Sequence, residues 1–203
     1  MKILHTADWH IGVFKGPEKD GVNLRSLDTK KCLEFMVEKA REELPELVLV
    51  SGDIFHTGRT WSDRCCDEVI TAKEIISKLS AVAKHIVVMR GTPNHDGEGQ
   101  FQVLKEFFSE NRNIHVVTEP QVIQTEYADI AVVPGFDHGV FRAKFPGLGK
   151  EEENETFSNE LGNIVMGLKA QCRPDRVAVL MAHYTVPGCN TESGQLQLLT
   201  QFE

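Results

Sequence analysis

Apolar residues recur along this chain in two rhythms. Short unbroken runs at Lys2–Thr6, Leu47–Ser51, His85–Met89 and Val177–Ala182 are too brief for helices and predict strands, Leu47–Ser51 and His85–Met89 being buried on both faces. Between them the spacing turns helical. Leu27, Cys32, Leu33, Phe35, Met36 and Ala40 mark a helix over Leu27–Leu44 that Pro45 stops, and Val69, Ile70, Ile75, Ile76 and Leu79 line one side of a second over Asp63–Val82. A short helix is predicted at Gln100–Ser109. Ile114–Val117, Val122–Thr125 and Ile130–Val133 predict three closely spaced strands with antiparallel neighbours, and Glu155–Ala170 predicts a last helix. The Gly-, Lys- and Glu-rich stretch from Asp137 to Asn154 reads as a mobile surface loop. A βαβαβ opening followed by strand-rich sequence gives an α/β fold, a layered mixed β-sheet sandwich flanked by helices, with residues 1–203 as one domain.

Composition narrows the function more than the fold. The 203 residues carry 22 Lys and Arg against 30 Asp and Glu, a formal charge of −8, which argues against an autonomous basic DNA-binding module. No segment approaches the roughly 18–20 apolar residues that span a bilayer, and the N-terminus has no long apolar run before its first charge, so a cytoplasmic protein with no membrane partner is expected. Five cysteines without a CxxC spacing fit neither a disulfide framework nor a structural zinc site. Reduced, mostly buried thiols are expected.

The chemistry gathers at strand ends. Asp8 and His10 follow the first strand two residues apart, so an extended backbone would put both on one side. The second strand ends in Ser-Gly-Asp53-Ile-Phe-His56 and the third in Arg-Gly-Thr-Pro-Asn94-His95-Asp96, while the last apolar strand delivers His183. In an open α/β sheet the carboxyl ends of the strands form the ligand crevice, which would bring these oxygen and nitrogen donors together. Mixed His, Asp and Asn donors suit manganese, iron or zinc better than calcium, and manganese is the expected ion. On the loop after Asp53, Arg59, Trp61 and Arg64 place cations and a ring where they could touch phosphates or stack on a base. Lys15 and Arg25 are similar candidates. His5, His85, His115 and His138 are read as packed or solvated residues, and Trp9 as a ring pointing into the sheet.

In order and position, Asp8-Trp-His10, Gly-Asp53 with His56, Asn94-His95-Asp96 and His183 resemble the calcineurin-like metallophosphoesterases. Within that superfamily the opening Met-Lys-Ile-Leu-His-Thr-Ala-Asp-Trp-His-Ile-Gly, the Gly-Asp-Ile-Phe-His and the Ala-His-Tyr-Thr-Val-Pro-Gly are most similar to the SbcD-type DNA repair exonucleases. The resemblance implies two divalent ions, with Asp8 and His10 on one, Asn94 and His183 on the other, and Asp53 bridging. It implies His95 as a general acid, with Asp96 orienting its ring, and His56 as a residue that positions DNA. It further implies phosphodiester hydrolysis on DNA, an SMC-like ATPase partner of the SbcC type, and a homodimer through the Leu27–Leu44 or Asp63–Val82 helix. Other readings are a small-substrate phosphodiesterase or phosphatase of the same fold, and a non-catalytic scaffold. Two departures stand out. Thr92-Pro93 separates Gly91 from Asn94 where the family joins Gly to Asn, and no Gly-His-x-His follows His183, so a truncated domain with weak or no turnover is expected. The acidity does not exclude a nuclease, because two divalent ions would offset about four negative charges at the site.

Overall fold

The computed structural model describes residues 1–58 and 63–184, apart from the side chains of residues 63–66 and 138. Arg59 and Trp61 therefore lie outside the described residues, as do the Arg64, Cys65, Cys66 and His138 side chains and Cys189.

The elements are β1 (Ile3–Thr6), β2 (Glu18–Lys19), β3 (Val22–Asn23), α1 (Leu24–Glu43), β4 (Leu47–Ser51), α2 (Asp63–Ser80), β5 (His85–Met89), α3 (Glu98–Phe107), β6 (Ile114–Val117), β7 (Gln121–Gln124), β8 (Asp129–Val133), α4 (His138–Lys144), α5 (Lys150–Gln171) and β9 (Ala178–Ala182). One sheet is wholly parallel, in the order β1-β4-β5-β6. A second is mixed, with β7 antiparallel and β9 parallel to the central β8, and β2 and β3 form a separate two-stranded antiparallel ribbon. The expected antiparallel neighbours are thus β7 and β8 alone, because β6 completes the first sheet.

Three apolar layers hold these elements together. Val48, Val50, Ile86 and Val88 face α1, α2 and α3 through Val37, Ala40, Ile75, Ile76, Phe101 and Leu104. Leu47, Leu49, Val87 and Met89 point the other way, against Ile130, Val132 and Met181 of the second sheet. Ala131 and Val133 then meet Phe141, Phe157, Leu161 and Leu168 of α4 and α5. The strict alternation along β4 and β5 divides the runs that looked uniformly apolar between two cores. The result is a sandwich of two sheets with helices on both outer faces.

Local signals set the helix ends. Asn23 caps α1 by accepting from the Ser26 amide at 3.1 Å, and Leu44 ends it in the left-handed conformation, just before Pro45. The stretch from Asp137 to Asn154 is largely helical, which corrects the loop reading. Asp137 caps α4 by accepting from the Gly139 and Val140 amides, Phe141 anchors it in the core, and Glu151, Glu152 and Glu153 occupy the favoured first turn of α5. The buried-thiol expectation also fails at Cys32, which is exposed on α1, while Cys172 is half-buried; both are free. No described helix is long and apolar enough to cross a membrane.

Candidate metal centre

The site forms where the loops after β1, β4 and β5 run side by side and β9 reaches across from the second sheet. Beyond the strands, the β1 loop stays zipped to the β4 loop: the amides of Asp8, His10 and Ile11 donate to the carbonyls of Gly52, Asp53 and Ile54, and His56 N–H donates back to Ile11. Asp8, His10 and Asp53 all sit at positive φ, between 47° and 55°. Non-glycine residues in this region carry strain of order 1–3 kcal/mol each, and such outliers cluster at functional sites. Asp8 and His10 are therefore brought together by left-handed turns, not by the extended backbone expected from their spacing. Their side chains lie 3.7 Å apart, Nε2 to Oδ1.

Asp53 is the centre of the arrangement. Its Oδ1 accepts from the Thr92 amide at 2.7 Å and the Thr92 hydroxyl at 2.9 Å. Its Oδ2 faces His183 Nε2 at 3.3 Å and His95 Nε2 at 4.0 Å. Burial opposes its ionisation, but the bonds from His183 and Thr92 outweigh it and hold the carboxyl at a pKa of about 2. The hydrogen bond to Asp53 raises His183 to about 9 against the effect of burial. His183 donates from Nδ1 to the Ser51 carbonyl at 2.6 Å, which fixes the ring with Nε2 toward Asp53.

Glycines permit the crowding. A Cβ on Gly52 would lie 2.6 Å from Gly91 Cα and 2.9 Å from His183 Nδ1, and one on Gly91 would collide with Asp53 N and Oδ1. Gly52 is also at φ 87°, which favours glycine.

His95 donates from Nδ1 to the His56 carbonyl at 2.7 Å. Asp96 does not orient its ring. It is fully buried and accepts from the amides of Phe55 at 3.0 Å and Gly91 at 2.6 Å, tying the β4 and β5 loops together; burial pushes its pKa up to about 6. His56 stands beside the site, its ring 6.0 Å from His10 and 6.3 Å from His95, with Phe14 packed on it at 4.1 Å. Asn94 is exposed, and its carbonyl accepts from the Gly58 amide at 2.6 Å. Its side chain makes no hydrogen bond to Asp53 or His183 among the described residues. Trp9 is buried in the core as expected and donates to the Thr6 hydroxyl.

These residues suit a divalent ion. The donor atoms of Asp8, His10 and Asp53 lie within 4.8 Å of one another, as do those of His10, His56 and His95, and His10 Nδ1 is buried without a hydrogen-bond partner. The 3.3 Å between His183 Nε2 and Asp53 Oδ2 suits two donors sharing one ion at about 2.0–2.2 Å each.

The sequence as a whole decides the family. A model of the calcineurin-like phosphoesterases matches residues 1–201. The chain belongs to this family. A metallophosphoesterase domain binds divalent metals and hydrolyses phosphoesters, and the α/β architecture, with a parallel sheet flanked by helices, agrees with that fold. Among solved structures, the chain is similar to phosphopantetheinyl hydrolase from Mycobacterium tuberculosis, at 15% identity over 90% of this chain and 68% of that one, with a TM-score of 0.41.

Two residues of the site escaped the reading from sequence. Thr92 reads from sequence as part of an insertion, and nothing there singles out Phe14. The Thr92 signal was its position between a strand-end glycine and a ligand cluster; Phe14 carried none, since its neighbour His56 is 42 positions away.

Proposed function

We propose that this metallophosphoesterase domain cleaves phosphodiester bonds in DNA as the nuclease part of an SbcCD-like repair assembly. The observation that carries the reading is the clustering of the Asp8, His10 and Asp53 donors within 4.8 Å of one another, with His183 3.3 Å from Asp53 and the His95 and His56 imidazoles grouped with His10. Asp8, His10, Asp53 and His183 would hold two divalent ions, manganese being the proposed species, and Asn94 would join them by turning inward. Bound there, the ions supply Lewis-acid stabilisation of developing negative charge and activate water for in-line attack.

The remaining work falls to side chains of this chain. His95 is the proposed proton donor: its Nδ1–H is committed to the His56 carbonyl, so Nε2 is the atom that faces the site and can protonate the leaving oxygen. His56, braced by Phe14, lies where it can position the scissile strand, and the Phe14 ring offers a face for an unpaired base. Arg59, Trp61 and Arg64 remain candidates for phosphate and base contacts, and an SMC-like ATPase is the proposed partner on the strength of the sequence resemblance.

The test is cleavage of end-labelled double-stranded DNA with Mn2+, beside bis(p-nitrophenyl) phosphate, for wild type, Asp53→Ala and His95→Ala. Manganese-dependent DNA cleavage lost in both variants is expected. Hydrolysis of the small diester with DNA left intact under every divalent metal would instead identify a small-substrate phosphodiesterase.

A further inference from the structure

Thr92 is one of the two residues that lengthen the loop between Gly91 and Asn94, and its contacts give that extra length a use. Both hydrogen bonds to Asp53 Oδ1 come from this residue, from the amide at 2.7 Å and the hydroxyl at 2.9 Å. The Thr92 carbonyl accepts from the amides of His95 at 3.0 Å and Asp96 at 2.8 Å. One residue therefore fixes the carboxylate at the centre of the site and the turn that presents the proposed proton donor.

We infer that Thr92 is a positioning residue that assigns the two oxygens of Asp53 different roles: Oδ1 is held by the loop, and Oδ2 alone is presented to metal. The inference rests on the metal-centre reading above and adds to it. The chemistry favours this division. An oxygen already accepting two short hydrogen bonds has little lone-pair density left for a cation, whereas Oδ2 faces two imidazole nitrogens and no backbone donor. When His183 Nε2 turns its lone pair to an ion, Thr92 is left as the described residue that holds the carboxylate in place. The hydroxyl matters in addition to the amide because it approaches the same oxygen independently and stops the carboxylate rotating about its Cβ–Cγ bond.

The experiment is a calorimetric Mn2+ titration of the 203-residue protein as wild type, Thr92→Ser, Thr92→Val and Asp53→Ala, with melting temperatures measured in parallel without metal. Residues that orient a ligand from behind commonly contribute 10- to 100-fold to metal affinity, and Thr92→Val keeps the amide donor, so a loss of about tenfold is expected. Thr92→Ser should bind within about twofold of wild type, and Asp53→Ala should not bind. Wild-type affinity in Thr92→Val, or Thr92→Ser as weak as Thr92→Val, overturns the assignment alone. A metal-free melting temperature lowered in Thr92→Val with its affinity unchanged does the same, since it reports only a structural bond. Wild type that takes up no Mn2+ overturns the metal-centre reading and the Thr92 assignment with it.

Discussion

Gly91→Ala is the smallest change that should disturb the centre most. The added methyl would collide with Asp53 N and Oδ1, and ordinary Cβ contacts begin near 3.4 Å, so the loops after β4 and β5 must part by about 1 Å. Neither obstacle can swing aside: one is backbone, and the other is a carboxylate oxygen held by two hydrogen bonds. Overpacking of this kind costs about 1–3 kcal/mol. For a chain of this size that lowers the melting temperature by roughly 2–12 °C. Displacing Asp53 should also abolish calorimetric Mn2+ binding in protein that is still folded by circular dichroism. Gly21→Ala is the control. Gly21 is at φ 75° with nothing within 4 Å of an added Cβ, so its replacement brings only backbone strain of about 1–2 kcal/mol and should leave metal affinity untouched. Gly91→Ala with wild-type melting temperature and affinity would refute the reasoning.

Three further outcomes are expected. Phe101→Ala removes a fully buried ring packed edge-on against Phe55 at 6.1 Å and should cost about 3–5 kcal/mol in denaturant unfolding, with the metal ligands unmoved. Burial, and then the neighbouring His85, hold the His115 imidazole below its ordinary pKa, so the fold favours the neutral ring. That stability is present above the unfolded pKa of about 6.5 and is lost as pH falls through the folded value; thermal melts from pH 7.5 to 5.5 should fall more steeply in wild type than in His115→Phe. Finally, Mn2+ at about 100 times its dissociation constant should stabilise the fold by about 2.7 kcal/mol, seen as a rise in melting temperature that a chelator reverses.

Much of this fold was legible because its signals are local. β4, β5 and β6 match their apolar runs residue for residue, since short runs of buried Val, Ile and Leu mark these strands locally. The α4 segment was missed because its signal is a cap at Asp137 and one buried anchor, Phe141, inside a stretch whose Gly, Lys and Glu content suggests a loop. Phe35 fitted the helical period of α1 yet is 63% exposed, because the buried stripe runs through Leu33, Val37 and Ala40. At the site, Asp8, His10, Asp53 and His183 were visible as strand-end donors, but the groups that orient Asp53, His183 and His95 were not. The roles of Thr92, the Ser51 carbonyl and the His56 carbonyl depend on which atom faces which across loops 39 to 132 positions apart, information that residue spacing does not carry. Asp96 shows the same limit from the other side: adjacency to His95 suggested a partner for its ring, whereas two backbone amides claim the carboxylate.

The central claim is that Asp53 Oδ2 and His183 Nε2 share an ion. Anomalous diffraction at the manganese edge from crystals soaked in Mn2+ tests it most directly. The account predicts a peak within about 2.0–2.4 Å of both atoms, with a second near Asp8 and His10, and no peak on Asp53 Oδ1. A fully occupied Mn2+ bound elsewhere, with Asp53 and His183 left in contact with each other, would contradict it.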